Sequence, residues 1–181
     1  MARRVFFSFH YQNDIWRVNQ IRNSWVTQDR EIAGFWDAAD WEKVKRGGDE
    51  SIKRWIENQL NGVSVTIVLI GSETANRRYV LHEVKRSHEL GKGLLGIWIH
   101  NMKDRLGDKS PKGENPFNHF YIEEGNQRKK LSEIYPTYNW VADDGYSNFA
   151  DWIENVAQNA GREKTSIPKD LRADDDSPMY S

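Results

Sequence analysis

"VSVTIVLIG", residues 63–71, decides the fold. It is rich in β-branched residues and almost continuously apolar, and Asn61-Gly62 and Gly71-Ser72 bound it. A strand with one wet face alternates apolar and polar residues. A strand apolar on both faces belongs at the centre of a parallel sheet, with helices above and below. The next stretch, "NRRYVLHEVKRSHEL" (76–90), supplies one of those helices. Wound at about 100° per residue from Tyr79, it places Leu90, Ser87, Val80, Val84, His88 and Leu81 on one broad arc. Lys85, Glu89, His82 and Arg86 take the opposite side. Glu83 falls at about 40°, inside the apolar arc. A carboxylate there needs a cationic partner such as Arg77, Arg78 or Arg86, a wet cleft, or a raised pKa.

Outward from this pair, the pattern repeats. "RVFFSF" (4–9) reads as a strand, and Ile15, Val18, Ile21 and Trp25 mark a helix capped at Asn13 or Asp14. "AGFWD" (33–37) is a second short strand, and residues 38–48 lack periodicity and read as a loop. Ile52, Trp55, Ile56 and Leu60 form one face of a helix capped by Asp49. "LLGIWIH" (94–100) is a fourth strand, and Gly91 ends the helix before it. The resulting β-α-β-α-β-α-β order predicts an α/β fold, a parallel sheet with helices on both faces. "TYNWVA" (137–142) offers a fifth strand, and Phe149, Trp152, Ile153 and Val156 mark the last helix. One domain over 1–160 is expected, with 101–135 a polar surface insertion. The tail 161–181 is expected to be flexible or loosely packed.

Composition removes several functions. The 181 residues include no cysteine, which excludes disulfides and thiolate chemistry. A net charge of −1 gives no global attraction to nucleic acid or anionic lipid. No apolar run reaches the roughly 18 residues of a membrane span, so a cytoplasmic protein without a membrane role is expected. There is no G-x-x-x-x-G-K-[ST], no G-x-G-x-x-G after the first strand, no G-x-S-x-G and no H-E-x-x-H. His82 and His88 sit about 120° apart on their helix, a poor chelate, and no metal site is expected. In open parallel sheets ligands bind beyond the carboxyl ends of the strands. Here those ends are Ser8-Phe9-His10-Tyr11, Asp37, Gly71-Ser72-Glu73 and His100-Asn101.

Taken in order, "RVFFSFHYQND", "GFWDAADWEKVKRGGDESIKRWIENQL" and "VSVTIVLIGSETANRRYVLHEV" resemble the three boxes of a TIR (Toll/interleukin-1 receptor) domain. Ser8, Asp37, Gly48, Ile52, Ser72, Tyr79 and Glu83 fall in the family's order. More closely, "RRVFFSFHYQ" and "YNWVADDGY" make the chain similar to bacterial TIR-like proteins of the Thoeris antiphage system, over about residues 3–155. Two departures stand out. Gly47-Gly48 replaces the Pro-Gly of many second-box loops, and Tyr79-Val80 stands where others carry Trp-Cys.

The resemblance implies a flavodoxin-like TIR fold with about five parallel strands. It implies NAD⁺ glycohydrolase or cyclase activity, with NAD⁺ as substrate and no permanent cofactor. It further implies self-association through the TIR domain, a phage-derived trigger, and a separate effector reached through a diffusible cyclic ADP-ribose-type product. Glu83 is then the expected catalytic carboxylate. Ser8, Phe9, His10, Tyr11, Asp37, Trp41 and Tyr79 are the expected substrate contacts. The chemistry suits such a site, because an oxocarbenium-like transition state needs a carboxylate near the ribose and no metal or thiol. Lys45 or Arg46 could meet the pyrophosphate. The alternatives are a non-catalytic TIR-like interaction module, a nucleotide-binding or receiver-like switch using Asp37, and, more remotely, a nuclease built on Glu83 and Lys85.

Overall fold

The computed structural model describes residues 3–26, 32–33, 43–163, 168 and 171–173. Its centre is a five-stranded sheet, all neighbours parallel. The strands are β1 (Val5–Ser8), β2 (Ile32–Ala33), β3 (Val65–Ile70), β4 (Gly93–Trp98) and, at the far edge, Thr137–Asn139. Their spatial order is β2-β1-β3-β4 and then the edge strand, the flavodoxin-like arrangement. Chain direction across the sheet reverses between β1 and β3. That crevice, at the carboxyl ends, is where this architecture seats ligands.

The continuous apolar run of β3 is buried on both sides, as its sequence requires. Val65, Ile67 and Leu69 share one cluster with Val5 and Phe7 of β1, with Val18, Ile21 and Trp25 of α1 (Tyr11–Val26), and with Phe149, Trp152 and Ile153 of the last helix. Val68 and Ile70 point the other way, onto Val80, Leu81 and Val84 of α3 (Arg78–Glu89). Phe6 packs on Ile52, Ile56 and Leu60 of α2 (Gly48–Leu60). The α3 helix ends in a Schellman motif. Gly91, at φ 72°, donates to the His88 carbonyl and Lys92 to that of Ser87.

Several elements differ from the expectation. Residues 43–46, expected in a loop, form a helical turn; it is short and mostly exposed, so periodicity has nothing to act on. Helix α1 starts at Tyr11, ahead of the expected caps. The 101–135 stretch holds a hairpin, β5 (Phe120–Glu124) with β6 (Gln127–Lys130), and Phe117, Phe120, Ile122 and Leu131 pack beneath it in the α3-side core. The edge strand is thus β7, followed by α4 (Gly145–Glu163). In the tail, Arg172–Ala173 pairs with β5 as β8, and Leu171 is buried. Isolated apolar residues in a polar stretch carry no period, which is why composition alone hid this small sheet.

One close approach holds the 101–119 segment against the end of β3. A Cβ added to Gly113 would lie 2.4 Å from the Gly71 carbonyl oxygen and 2.5 Å from that of Ser72. Backbone on both sides must move to admit it. Gly113→Ala is therefore expected to destabilise by about 1–3 kcal/mol. Thermal denaturation should show a Tm several degrees lower, and an unchanged Tm would mean this contact is looser than the distances indicate.

Candidate active site

Glu83 faces the core, as the helical wheel requires. It is 4% exposed and sits on the face of α3 that covers β1 and β3. Two hydroxyl residues of the strands meet this face. Ser8, the last residue of β1, donates to a Glu83 carboxylate oxygen. One turn further along α3, Ser87 shares a 2.7 Å hydrogen bond with Thr66 of β3. Glu83 and Ser87 are an i, i+4 pair, so a single polar seam runs under the helix between otherwise apolar walls. Ser87 joined the apolar arc in the sequence for the same reason.

Among the described residues no guanidinium neutralises Glu83. Arg78 donates to Asp49 at 2.6 Å, and Arg86 is held by Glu57 and Glu89. Arg77 forms no hydrogen bond or ion pair with a carboxylate among the described residues. Burial therefore pushes the Glu83 pKa up to about 8, against a smaller opposing effect of the Ser8 hydrogen bond. At neutral pH this acid mostly holds its proton.

A cavity of about 160 Å³ opens on the carboxylate. Phe9, His10, Tyr11 and Gln12 line it from the turn after β1, Tyr79, Val80 and Glu83 from α3, and the half-buried Arg77 and exposed Lys45 from its solvent side. Of the expected site residues, the structure brings Phe9, His10, Tyr11, Tyr79 and Glu83 to one cavity, with Ser8 bonded to the acid. Asp37 and Trp41 lie outside the described residues.

Individual side chains have definite environments. The Phe9 and Tyr11 rings pack 6.1 Å apart. His10 is 5% exposed; its Nδ1 accepts from the Asn13 amide, and burial together with the nearby Arg77 charge lowers its pKa, so the ring is neutral. Tyr79 donates its hydroxyl to Asp49 at 2.7 Å, fixing α3 to the start of α2. Asp14 lies beyond this cavity, at 1% exposure beneath Gly71. It pairs with Arg17, which donates to the carbonyls of Met102 and Asp108 and clamps that loop onto α1.

A larger cleft of about 610 Å³ lies at the other end of the sheet, between the start of β4, the residues before β7 and α4. Size does not make it the stronger candidate. It is at the amino ends of the strands, and its buried His88 already bonds Tyr135 through Nδ1 and the Pro168 carbonyl through Nε2.

A family model described as "Thoeris protein ThsB, TIR-like domain" matches residues 6–104. A Bacillus cereus (strain MSX-D12) protein named "Putative cyclic ADP-D-ribose synthase ThsB1" is 41% identical over 191 aligned positions, covering 84% of this chain and all of that relative. The chain belongs to the ThsB TIR-like family. The matched segment of this TIR-like domain runs from the middle of β1 past the end of β4. It thus contains the β1–β3 crevice, α3 and every residue lining the Glu83 cavity. No helix among the described residues is long and apolar enough to cross a membrane.

Proposed function

We propose that this TIR-like protein cleaves the nicotinamide–ribose bond of NAD⁺ and converts the ADP-ribosyl group into a cyclic ADP-ribose-type signal. The observation that carries the proposal is Glu83. It is an acid buried with no cationic partner among the described residues, at the switch point of a flavodoxin-like sheet, open to a cavity with aromatic walls. A domain that only assembles with others has no use for such a group, whose burial opposes folding. The name of the Bacillus cereus relative, "Putative cyclic ADP-D-ribose synthase ThsB1", agrees with this reaction class.

The chemistry needs little more. As the C1′–N bond breaks, its electron pair moves onto the ring nitrogen and nicotinamide leaves neutral, with no proton required. Positive charge develops on C1′ and the ribose ring oxygen. A carboxylate held beside them in a low-dielectric pocket stabilises that charge more than the ground state. The cationic pyridinium of bound NAD⁺ also favours ionised Glu83, so substrate binding itself drives off the proton. An internal nucleophile of the ADP-ribosyl group then attacks C1′ and loses a proton, closing the ring. Water in its place gives linear ADP-ribose.

The product would reach a separate effector by diffusion after phage infection, with self-association through the TIR domain completing the active form. Incubation of the protein with NAD⁺, with and without lysate from infected cells, followed by mass spectrometry of the nucleotides, tests the reaction. Nicotinamide with a cyclic product is the expected outcome, and intact NAD⁺ under both conditions counts against it.

Ser8 would act through Glu83. Its hydroxyl donates to the carboxylate and favours the ionised form. Ser8→Ala should lower kcat/KM several-fold at pH 7 and move the acidic limb of the pH profile upward, with recovery at higher pH. A loss equal at all pH values would instead assign Ser8 to substrate contact.

A further inference from the structure

We infer that Arg77, assisted by Lys45, is the diphosphate-binding element of the active site, holding the substrate's anionic linker at the mouth of the Glu83 cavity. The inference rests on the NAD⁺ reading above and adds the subsite that orients the substrate.

The first support is charge accounting. The arginines and the lysine of α3 itself are engaged: Arg78 with Asp49, Arg86 with Glu57 and Glu89, and Lys85 with Glu89. Arg77 and Lys45 have no acidic partner among the described residues, yet both line this cavity. Arg77 raises the local potential enough to help lower the pKa of His10 beside it. An unpaired guanidinium at a cavity mouth is suited to an anion from solution, and its planar fork matches phosphate oxygens in pairs.

The second support is size. A cavity of about 160 Å³ holds a nicotinamide ring and part of its ribose, well short of the space a whole dinucleotide needs. With the glycosidic carbon against Glu83, the rest of the molecule must leave through the mouth. The linker between ribose and diphosphate is one methylene and one ester oxygen, so the phosphates emerge close to the acid.

The third support is the helix itself. Arg77 precedes α3 and Glu83 lies six residues on, about 9 Å of helical rise. Side chains on a helix lean toward its amino end, which brings Glu83 nearer the Arg77 end than the Cα positions indicate. The site is thus bipolar, with an acid inside for the cationic ring and cations outside for the diphosphate.

Arg77→Ala should fold normally, because its side chain makes no cap hydrogen bond to α3. Two measurements test the subsite. In equilibrium binding, wild type should bind ADP-ribose, and Arg77→Ala should bind it about 10- to 100-fold more weakly. Arg77→Lys should recover only part, and Lys45→Ala should lose less than Arg77→Ala. In turnover, Arg77→Ala should raise KM for NAD⁺ with a smaller change in kcat, while cleavage of nicotinamide riboside, which lacks the diphosphate, stays unchanged. Equal ADP-ribose binding by wild type and Arg77→Ala overturns the proposal. So does a wild type that binds no ADP-ribose, or an equal loss on NAD⁺ and nicotinamide riboside. Arg77-dependent ADP-ribose binding without NAD⁺ cleavage supports the subsite and removes the proposed reaction.

Discussion

Glu83→Gln is expected to melt at a higher temperature than wild type while losing NAD⁺ cleavage by about 10³-fold or more. The two effects share one cause. Burial lifts the Glu83 pKa from 4.5 to about 8, so the folded chain binds this proton more tightly than the unfolded chain does. Stability from this group is full below the unfolded pKa and is lost as pH rises to the folded value. At about 1.4 kcal/mol per pKa unit the whole span approaches about 5 kcal/mol. Glutamine keeps the shape and can still accept from Ser8, but it never ionises. A gain of about 2–4 kcal/mol near pH 8 is expected, shrinking toward pH 5. Denaturant titrations of both proteins across that range check it. A variant no more stable than wild type at pH 8 would mean that Glu83 has solvent or a cation beside it. A variant more stable and equally active would separate the acid's burial from catalysis.

The second large effect is on pH dependence. On the proposed mechanism the active form of the free protein is the ionised acid, so kcat/KM should rise tenfold per pH unit and level off above about 8. At pH 6 the value should be about 100-fold below the plateau. The limb in kcat should lie at lower pH, because a bound pyridinium favours the carboxylate. His10 cannot supply this limb, since its pKa is lowered from an already smaller value. Initial rates at low and at saturating NAD⁺ measure both profiles. A flat kcat/KM between pH 6 and 8 would place the titrating acid elsewhere.

How much of this was legible beforehand differs from element to element. The run "VSVTIVLIG" disclosed its strand because burial on both faces leaves little room for polar residues, Thr66 alone being matched by Ser87, and the structure buries Val65 to Ile70 throughout. Glu83 was legible for the complementary reason, as an acid on an arc that packing otherwise fills with apolar side chains. Its partner was not legible. Ser8 and Glu83 lie 75 residues apart, and only the pairing of β1 with β3 brings the strand end beneath α3. The three arginines around the acid were equally plausible ion-pair partners in the sequence. Two of them turned out to serve acids of α2, Asp49 and Glu57, which left Arg77 at the cavity. Helix geometry sets the direction of a side chain, but tertiary packing decides which charge meets it. The β5–β6–β8 sheet was hidden for a similar reason, since its buried residues are scattered among lysines and acids.

Nicotinamide released from NAD⁺ at pH 8 by wild type and Glu83→Gln, assayed side by side under the same triggering condition, decides whether Glu83 carries the chemistry. Wild type should release nicotinamide in step with a nucleotide product, and Glu83→Gln, folded and at least as stable, should release none above background. Equal release by the two proteins would contradict the assignment of Glu83 to the chemistry.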